Sequence, residues 1–139
     1  MENLIESINE HLKNKDLFSS RKILCNYNKD DWRNYVSFDN IHYKRNLVYK
    51  NDIFEIILIC WKKNQESPIH DHPENGCIFK VLEGSIIELK KNSIRTLNIN
   101  DIGYSIGKNV HQIKAIQDTI TLHVYSPPNY IPNIIRFFQ

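Results

Sequence analysis

Apolar residues recur at helical spacing only near the start of the chain. Leu4, Ile5, Ile8 and Leu12, separated by Glu, Asn and Lys, predict an amphipathic packing helix over residues 3–13. A second helical stretch is predicted from Asp16 to Cys25, with Asp16 as its cap and Phe18, Ile23 and Leu24 as apolar contacts. A short third one starts at Asp30 or Asp31 and carries Trp32 and Tyr35. From Ile41 the period changes to two. The stretch Tyr43 to Tyr49 alternates, Asn51-Asp52 supplies a turn, and Phe54 to Trp61 is a continuous apolar run of the fully buried kind. Further strands are predicted at Cys77–Leu82, Ser85–Leu89, Ile94–Ile99, Tyr104–Ile106, His111–Ala115 and Thr119–Tyr125. Glu83-Gly84, the Lys90 to Ser93 stretch, Asn100-Asp101 and the Gly107 to Asn109 stretch break them apart. Many short strands with no helices between them predict a mainly β protein, an antiparallel sandwich or small barrel.

Composition narrows the class. A chain of 139 residues, 41% hydrophobic, is expected to form one domain, with residues 1–36 as a helical segment packed on a barrel of residues 41–128. A net charge of +2 with scattered lysines gives little field for nucleic acid, which leaves a small molecule as the expected partner. Met1-Glu2-Asn3 opens without a basic region or apolar run, and the longest apolar stretch, Ile56 to Trp61, is far short of a membrane span. The expectation is a cytoplasmic monomer with no membrane partner. Cys25, Cys60 and Cys77, three in number and irregularly spaced, fit neither a disulfide framework nor a zinc pattern.

The candidate chemistry lies in Ser67-Pro68-Ile69-His70-Asp71-His72-Pro73-Glu74-Asn75-Gly76-Cys77. On an extended segment His70 and His72 point to the same side and can share a metal ion. Pro68 and Pro73 disfavour helix around them, and Asn75-Gly76 predicts a tight hairpin turn. In Thr121-Leu122-His123-Val124-Tyr125 three polar groups share one face of a strand where a core would place apolar ones, a violation of patterning that marks a functional site. Arg45, one of five arginines, sits in an alternating strand.

His-x-His followed by Cys77 and Gly84 resembles the first motif of the cupin superfamily, with cysteine where most metal cupins have glutamate. That swap makes the stretch similar to cysteine dioxygenase, a cupin thiol dioxygenase that holds iron with three histidines. The resemblance covers roughly residues 24 to 130. Tyr43-Lys44-Arg45-Asn46-Leu47-Val48 looks like the family segment whose arginine binds the substrate carboxylate. His70, His72 and His111 match the iron ligands, and Cys77 matches the cysteine that forms a thioether in animal members. Leu122-His123-Val124-Tyr125-Ser126-Pro127-Pro128 matches the segment that carries its tyrosine partner. The chain departs from the animal pattern at Gly76, where those members have histidine, and in the spacing around His111. It also stops soon after Pro128, without the carboxy-terminal part of longer members.

The resemblance implies a jelly-roll barrel and an Fe(II) centre held by His70, His72 and His111. It further implies oxidation of L-cysteine by O2 to the sulfinic acid. Imidazole suits iron, copper, nickel and zinc alike, and three facial ligands leave positions open. With no carboxylate ligand the metal stays more positive, and a substrate thiolate supplies the missing negative charge. In this reading Arg45, with Tyr43 and Tyr125, binds substrate. Tyr125, His123 and Cys77 are the catalytic set, Thr121 and His123 position the phenol, and Cys77 and Tyr125 are the cross-link pair. Two alternatives remain open: a dioxygenase of another small thiol such as 3-mercaptopropionate, and a non-catalytic metal-binding cupin sensor.

Overall fold

A computed structural model describes residues 1–138. Helix α1 (Glu2–Leu12) buries Leu4 and Ile8, as its periodicity requires. The Asp16 carboxylate accepts the Ser19 N–H at 2.9 Å just ahead of the next stretch, but Leu17 holds the N-cap position there and Asp16 does not. That stretch is not one helix. A 3-10 turn at Phe18–Ser20 precedes α2 (Arg21–Asn26). At the join, the buried Ser20 hydroxyl donates to the Leu17 carbonyl at 2.5 Å, a local bond that competes with regular helix. Asp31–Tyr35 forms a 3-10 turn that buries Trp32.

The strands follow in chain order as β1 (Lys44–Lys50), β2 (Glu55–Trp61), β3 (Ile69–His70), β4 (Gly76–Glu83) and β5 (Ser85–Lys90), then β6 (Ser93–Asn98), β7 (Ile102–Ser105), β8 (Gln112–Ala115), β9 (Thr119–Ser126) and β10 (Ile134–Ile135). One sheet has the order β1-β2-β9-β4-β7, a second the order β6-β5-β8, and β10 pairs with β3. All the ladders are antiparallel. This is an antiparallel jelly-roll, although its sheets do not close into a continuous barrel.

Every residue of β2 is buried because both faces of its sheet are covered. Ile56, Leu58 and Cys60 pack with Leu4, Ile8, Leu24 and Trp32 from the helical segment. Ile57, Ile59 and Trp61 alternate to the inner face, where they meet Phe79, Val81, Ile86 and Ile113. The same alternation on β9 sends Ile120, Leu122 and Val124 outward to the helices. Gly84, at φ +83°, makes the β4–β5 turn, where a Cβ would collide with the Thr119 hydroxyl and the Asp118 carbonyl.

Lys80 breaks the apolar pattern on the outer face of β4. It is 3% exposed, and its ammonium donates to the carbonyls of Cys25 at 2.9 Å and Tyr27 at 2.6 Å, at the end of α2. A cation there satisfies carbonyls that the helix leaves unpaired. Lys80→Met is therefore expected to cost about 3 kcal/mol, the scale of charged hydrogen bonds lost from a buried site. The check is a lower chemical-denaturation midpoint with the native circular-dichroism spectrum retained.

Two further details differ from the sequence expectation. The turn at Asn75-Gly76 forms, with the Gly76 N–H on the Pro73 carbonyl at 2.8 Å, but it makes no hairpin. The strand that follows, β4, pairs with β9 and β7, so the turn redirects the chain between sheets. Beyond Pro128, where no strand was expected, β10 returns to pair Ile134 with His70 and Ile135 with Ile69.

Candidate metal centre

Strand β3 ends at His70, and His72 follows it outside the ladder with its N–H on the Gly107 carbonyl at 2.8 Å. His111, just before β8, exchanges two backbone hydrogen bonds with His70, at 3.0 and 3.1 Å. The three rings converge. His111 Nε2 lies 3.0 Å from His72 Nε2 and 3.2 Å from His70 Nε2. His72 and His111 are buried and His70 half-buried.

The other ring nitrogens fix the protonation. His70 Nδ1 donates to the Pro68 carbonyl and His72 Nδ1 to the Asn109 carbonyl, each at 2.8 Å. His111 Nδ1 donates to a carboxylate oxygen of Glu88 at 2.9 Å, with the Ser105 hydroxyl at 3.4 Å. Carbonyl oxygens only accept, so the ring proton sits on Nδ1 and each Nε2 presents a bare lone pair. On His70 and His72 a second proton is disfavoured. Burial, then the neighbouring His111, pushes His70 down to about 4, and burial with His111 and His70 pushes His72 down to about 3.

His111 Nε2 stands about 3 Å from each of the other two Nε2 atoms, and facing lone pairs at that distance repel unless a cation sits among them. Separations of this size suit imidazoles bound at about 2.0–2.1 Å from one ion. The donor set therefore fits a divalent transition metal, and these are the residues that could hold it.

Thr121, His123 and Tyr125 share the inner face of β9, as expected. The Trp61 indole N–H donates to the Thr121 hydroxyl at 2.9 Å, and that hydroxyl lies 2.7 Å from His123 Nε2. The indole N–H takes one lone pair of the Thr121 hydroxyl, and in the tautomer where that hydroxyl donates to His123 Nε2, His123 Nδ1–H donates to the Tyr125 hydroxyl at 3.3 Å. Burial, followed by the charge of Arg45, holds His123 neutral. Phe79 stacks on the His123 ring at 4.9 Å, and Tyr125 lies parallel to it at 5.7 Å. Burial, then Cys77, pushes the Tyr125 phenol up, so it keeps its proton.

Cys77 is the direct cross-strand partner of Tyr125 in the β4–β9 ladder, and its sulfur is 3.7 Å from His123 Nδ1. Burial raises this thiol and the Arg45 charge partly offsets it. Arg45 pairs in register with Ile59 and so lies on the inner face of β1. Its guanidinium carbon is 5.1 Å from the Tyr125 ring centroid, and it pairs with no carboxylate among the described residues. Tyr43 stacks on Trp61 at 4.6 Å. Tyr43 and Arg45 line an open cleft of about 510 Å³ with Glu66 and Pro68.

Three supporting groups were not anticipated from the sequence: Glu88, Asn109 and the Asp71 cluster. The Asp71 carboxylate accepts from the Tyr130 hydroxyl at 3.0 Å, the Asn133 N–H at 2.8 Å and the Asn133 amide at 2.9 Å. It thereby straps residues 130–135 against the histidine segment. Among the described residues no helix is long and apolar enough to cross a membrane.

A jelly-roll with three convergent histidines that could hold a metal ion is the arrangement of the cupin class. Solved structures share that fold. A protein with a double-stranded β-helix domain from Klebsiella pneumoniae superposes with a TM-score of 0.71 at 20% identity, covering 81% of this chain and 94% of its own. An RmlC-like cupin from Desulfovibrio desulfuricans gives 0.63 at 22% identity, over 73% of this chain and 97% of its own. The sequence is more specific, because the family model for cysteine dioxygenase type I matches residues 3–139. The chain belongs to the cysteine dioxygenase type I family. It is 35% identical to cysteine dioxygenase type 1 of Rattus norvegicus over 120 residues, 73% of this chain and 59% of that protein. For the Homo sapiens protein the identity is 35% over 117 residues, 70% of this chain and 58% of that one. The chain thus spans about three fifths of the length of these relatives.

Proposed function

We propose that this chain is an iron-dependent thiol dioxygenase that converts L-cysteine and O2 to cysteine sulfinic acid. The observation that carries this reading is a cluster of three convergent imidazoles with, beside it, an arginine that pairs with no carboxylate among the described residues. Such a site offers a dication no negative ligand, so a substrate thiolate complements it, and binding favours loss of the thiol proton. Fe(II) held by His70, His72 and His111 would supply the oxygen chemistry that no side chain provides.

The chain's own residues bind and orient. Arg45 pairs with the substrate carboxylate. The Tyr125 hydroxyl accepts from His123 Nδ1–H, which leaves its own proton to donate to substrate. Thr121 and Trp61 hold His123 in the tautomer this requires. Trp61, stacked under Tyr43, walls the apolar side and limits water. Membership of the family and the match of these residues to its motifs support the reading.

The test is metal analysis of the purified protein with oxygen uptake over L-cysteine, 3-mercaptopropionate and cysteamine. The proposal requires about one iron per chain and fastest turnover of L-cysteine. A metal-loaded protein that consumes no oxygen with any of the thiols would instead fit a non-catalytic metal-binding sensor.

The cross-strand pairing of Cys77 and Tyr125 also supports a thioether between them. Its formation would remove one hydrogen from the thiol and one from the ring carbon beside the hydroxyl, with O2 as oxidant. The bond would fix the phenol, improving turnover without being required for it. After incubation with iron, L-cysteine and O2, part of the protein should be lighter by two hydrogens, and Cys77→Ala should show no such population. Only unmodified Cys77 and Tyr125 peptides under turnover would exclude the bond.

A further inference from the structure

We propose that Glu88 and Arg95 act as positioning residues that set the charge of the metal centre through His111. The inference rests on the metal reading above and assigns the part of it that lies behind the ligands. The three histidines are not equivalent. His70 and His72 hand their Nδ1 protons to neutral carbonyls, whereas His111 hands its proton to a carboxylate. A ligand histidine that donates to a charged acceptor is the more basic donor toward the metal. The centre thus lacks a carboxylate ligand but keeps a carboxylate one ring away.

That carboxylate is fully buried, and its two oxygens are divided between two partners. One accepts from His111 at 2.9 Å and the other from Arg95 Nε at 2.8 Å. The Glu88 side chain is 0% exposed and that of Arg95 is 48% exposed, so the line runs from the metal ligand to the surface. The pairing follows from the hairpin. Glu88 faces Arg95 across the β5–β6 ladder, while alternation puts Glu88 on the inner face with Ile86. A lone glutamate there would be costly to bury, and the two charge-assisted bonds offset that cost.

The two residues act with opposite sign. Glu88 adds negative charge behind His111 and favours the higher oxidation state, and Arg95 counters it. Iron-loaded parent, Glu88→Gln, Arg95→Gln and Arg95→Lys proteins, free of substrate, are titrated for their Fe(III)/Fe(II) potential, with Fe(II) affinity measured alongside. In Glu88→Gln the amide oxygen still accepts the His111 proton, but the potential should rise and Fe(II) affinity should fall about 10- to 100-fold. In Arg95→Gln the potential should fall without loss of affinity, and Arg95→Lys should restore the parent value. A purely structural role would move both variants in one direction. Potentials that shift together, or do not shift while iron binds normally, overturn this inference alone. If Glu88→Gln does not fold, the Arg95 pair decides it. A parent protein that binds no iron overturns the metal reading and this inference with it.

Discussion

His70→Ala is expected to abolish metal binding and oxygen consumption together while leaving a folded protein. The ring contributes one of three convergent lone pairs, and two imidazoles hold a divalent ion far less well than three. The scaffold tolerates the change for a definable reason. His70 joins its neighbours mainly through backbone, with hydrogen bonds to His111 at 3.0 and 3.1 Å that alanine keeps, and its side chain gives up only one bond, to Pro68. His111→Ala is the harsher variant, because it leaves the buried Glu88 with Arg95 as its remaining partner. The check is iron content with circular dichroism and oxygen uptake on one preparation. Oxygen-dependent turnover at the parent rate by metal-free His70→Ala protein would remove the histidine triad from the mechanism.

Arg45→Ala is expected to lower kcat/KM for L-cysteine by about 10- to 100-fold, or roughly 1–3 kcal/mol. The figure lies below that for a fully buried ion pair because Arg45 is exposed, and solvent screens its charge. Its effect on cysteamine, which has no carboxylate, should be small. The parent protein should therefore prefer cysteine to cysteamine by a similar factor, and the variant should lose that preference. Arg45→Lys should recover part of the rate, since a point charge replaces a planar fork. Equal kcat/KM for cysteine and cysteamine in the parent would remove Arg45 from carboxylate recognition.

The sequence was most legible where a period or a motif carried the signal. The amphipathic spacing of Leu4 and Ile8 located α1, and the two-residue period on β9 put Thr121, His123 and Tyr125 on one face. The motif named His70, His72 and His111, and the structure brings their three rings together. The run from Phe54 to Trp61 gave a strand but not its environment. Each of its faces meets a different apolar cluster, so alternation left no trace in its composition.

Glu88 went unread although its signals were present. It alternates with Ile86 in a predicted strand and stands opposite Arg95 in a predicted hairpin, but either position alone looks like an ordinary surface charge. The role of Asn109 depends on its backbone carbonyl, which no side-chain pattern reports. The β10 strap joins Asp71 to Asn133 across the fold and has only two ladder residues, too few for any period to appear. Asn75-Gly76 illustrates the opposite error. A turn sequence fixes a local reversal, but which strands then pair depends on the whole sheet.

The most direct test of the dioxygenase claim is the fate of both oxygen atoms. Iron-loaded protein is given L-cysteine under isotopically labelled dioxygen in ordinary water, and the product is analysed by mass spectrometry. The account predicts cysteine sulfinic acid with both new oxygens labelled, formed one for one with the dioxygen consumed. Cystine as the main product, or sulfinic acid whose oxygens come from water, would contradict it.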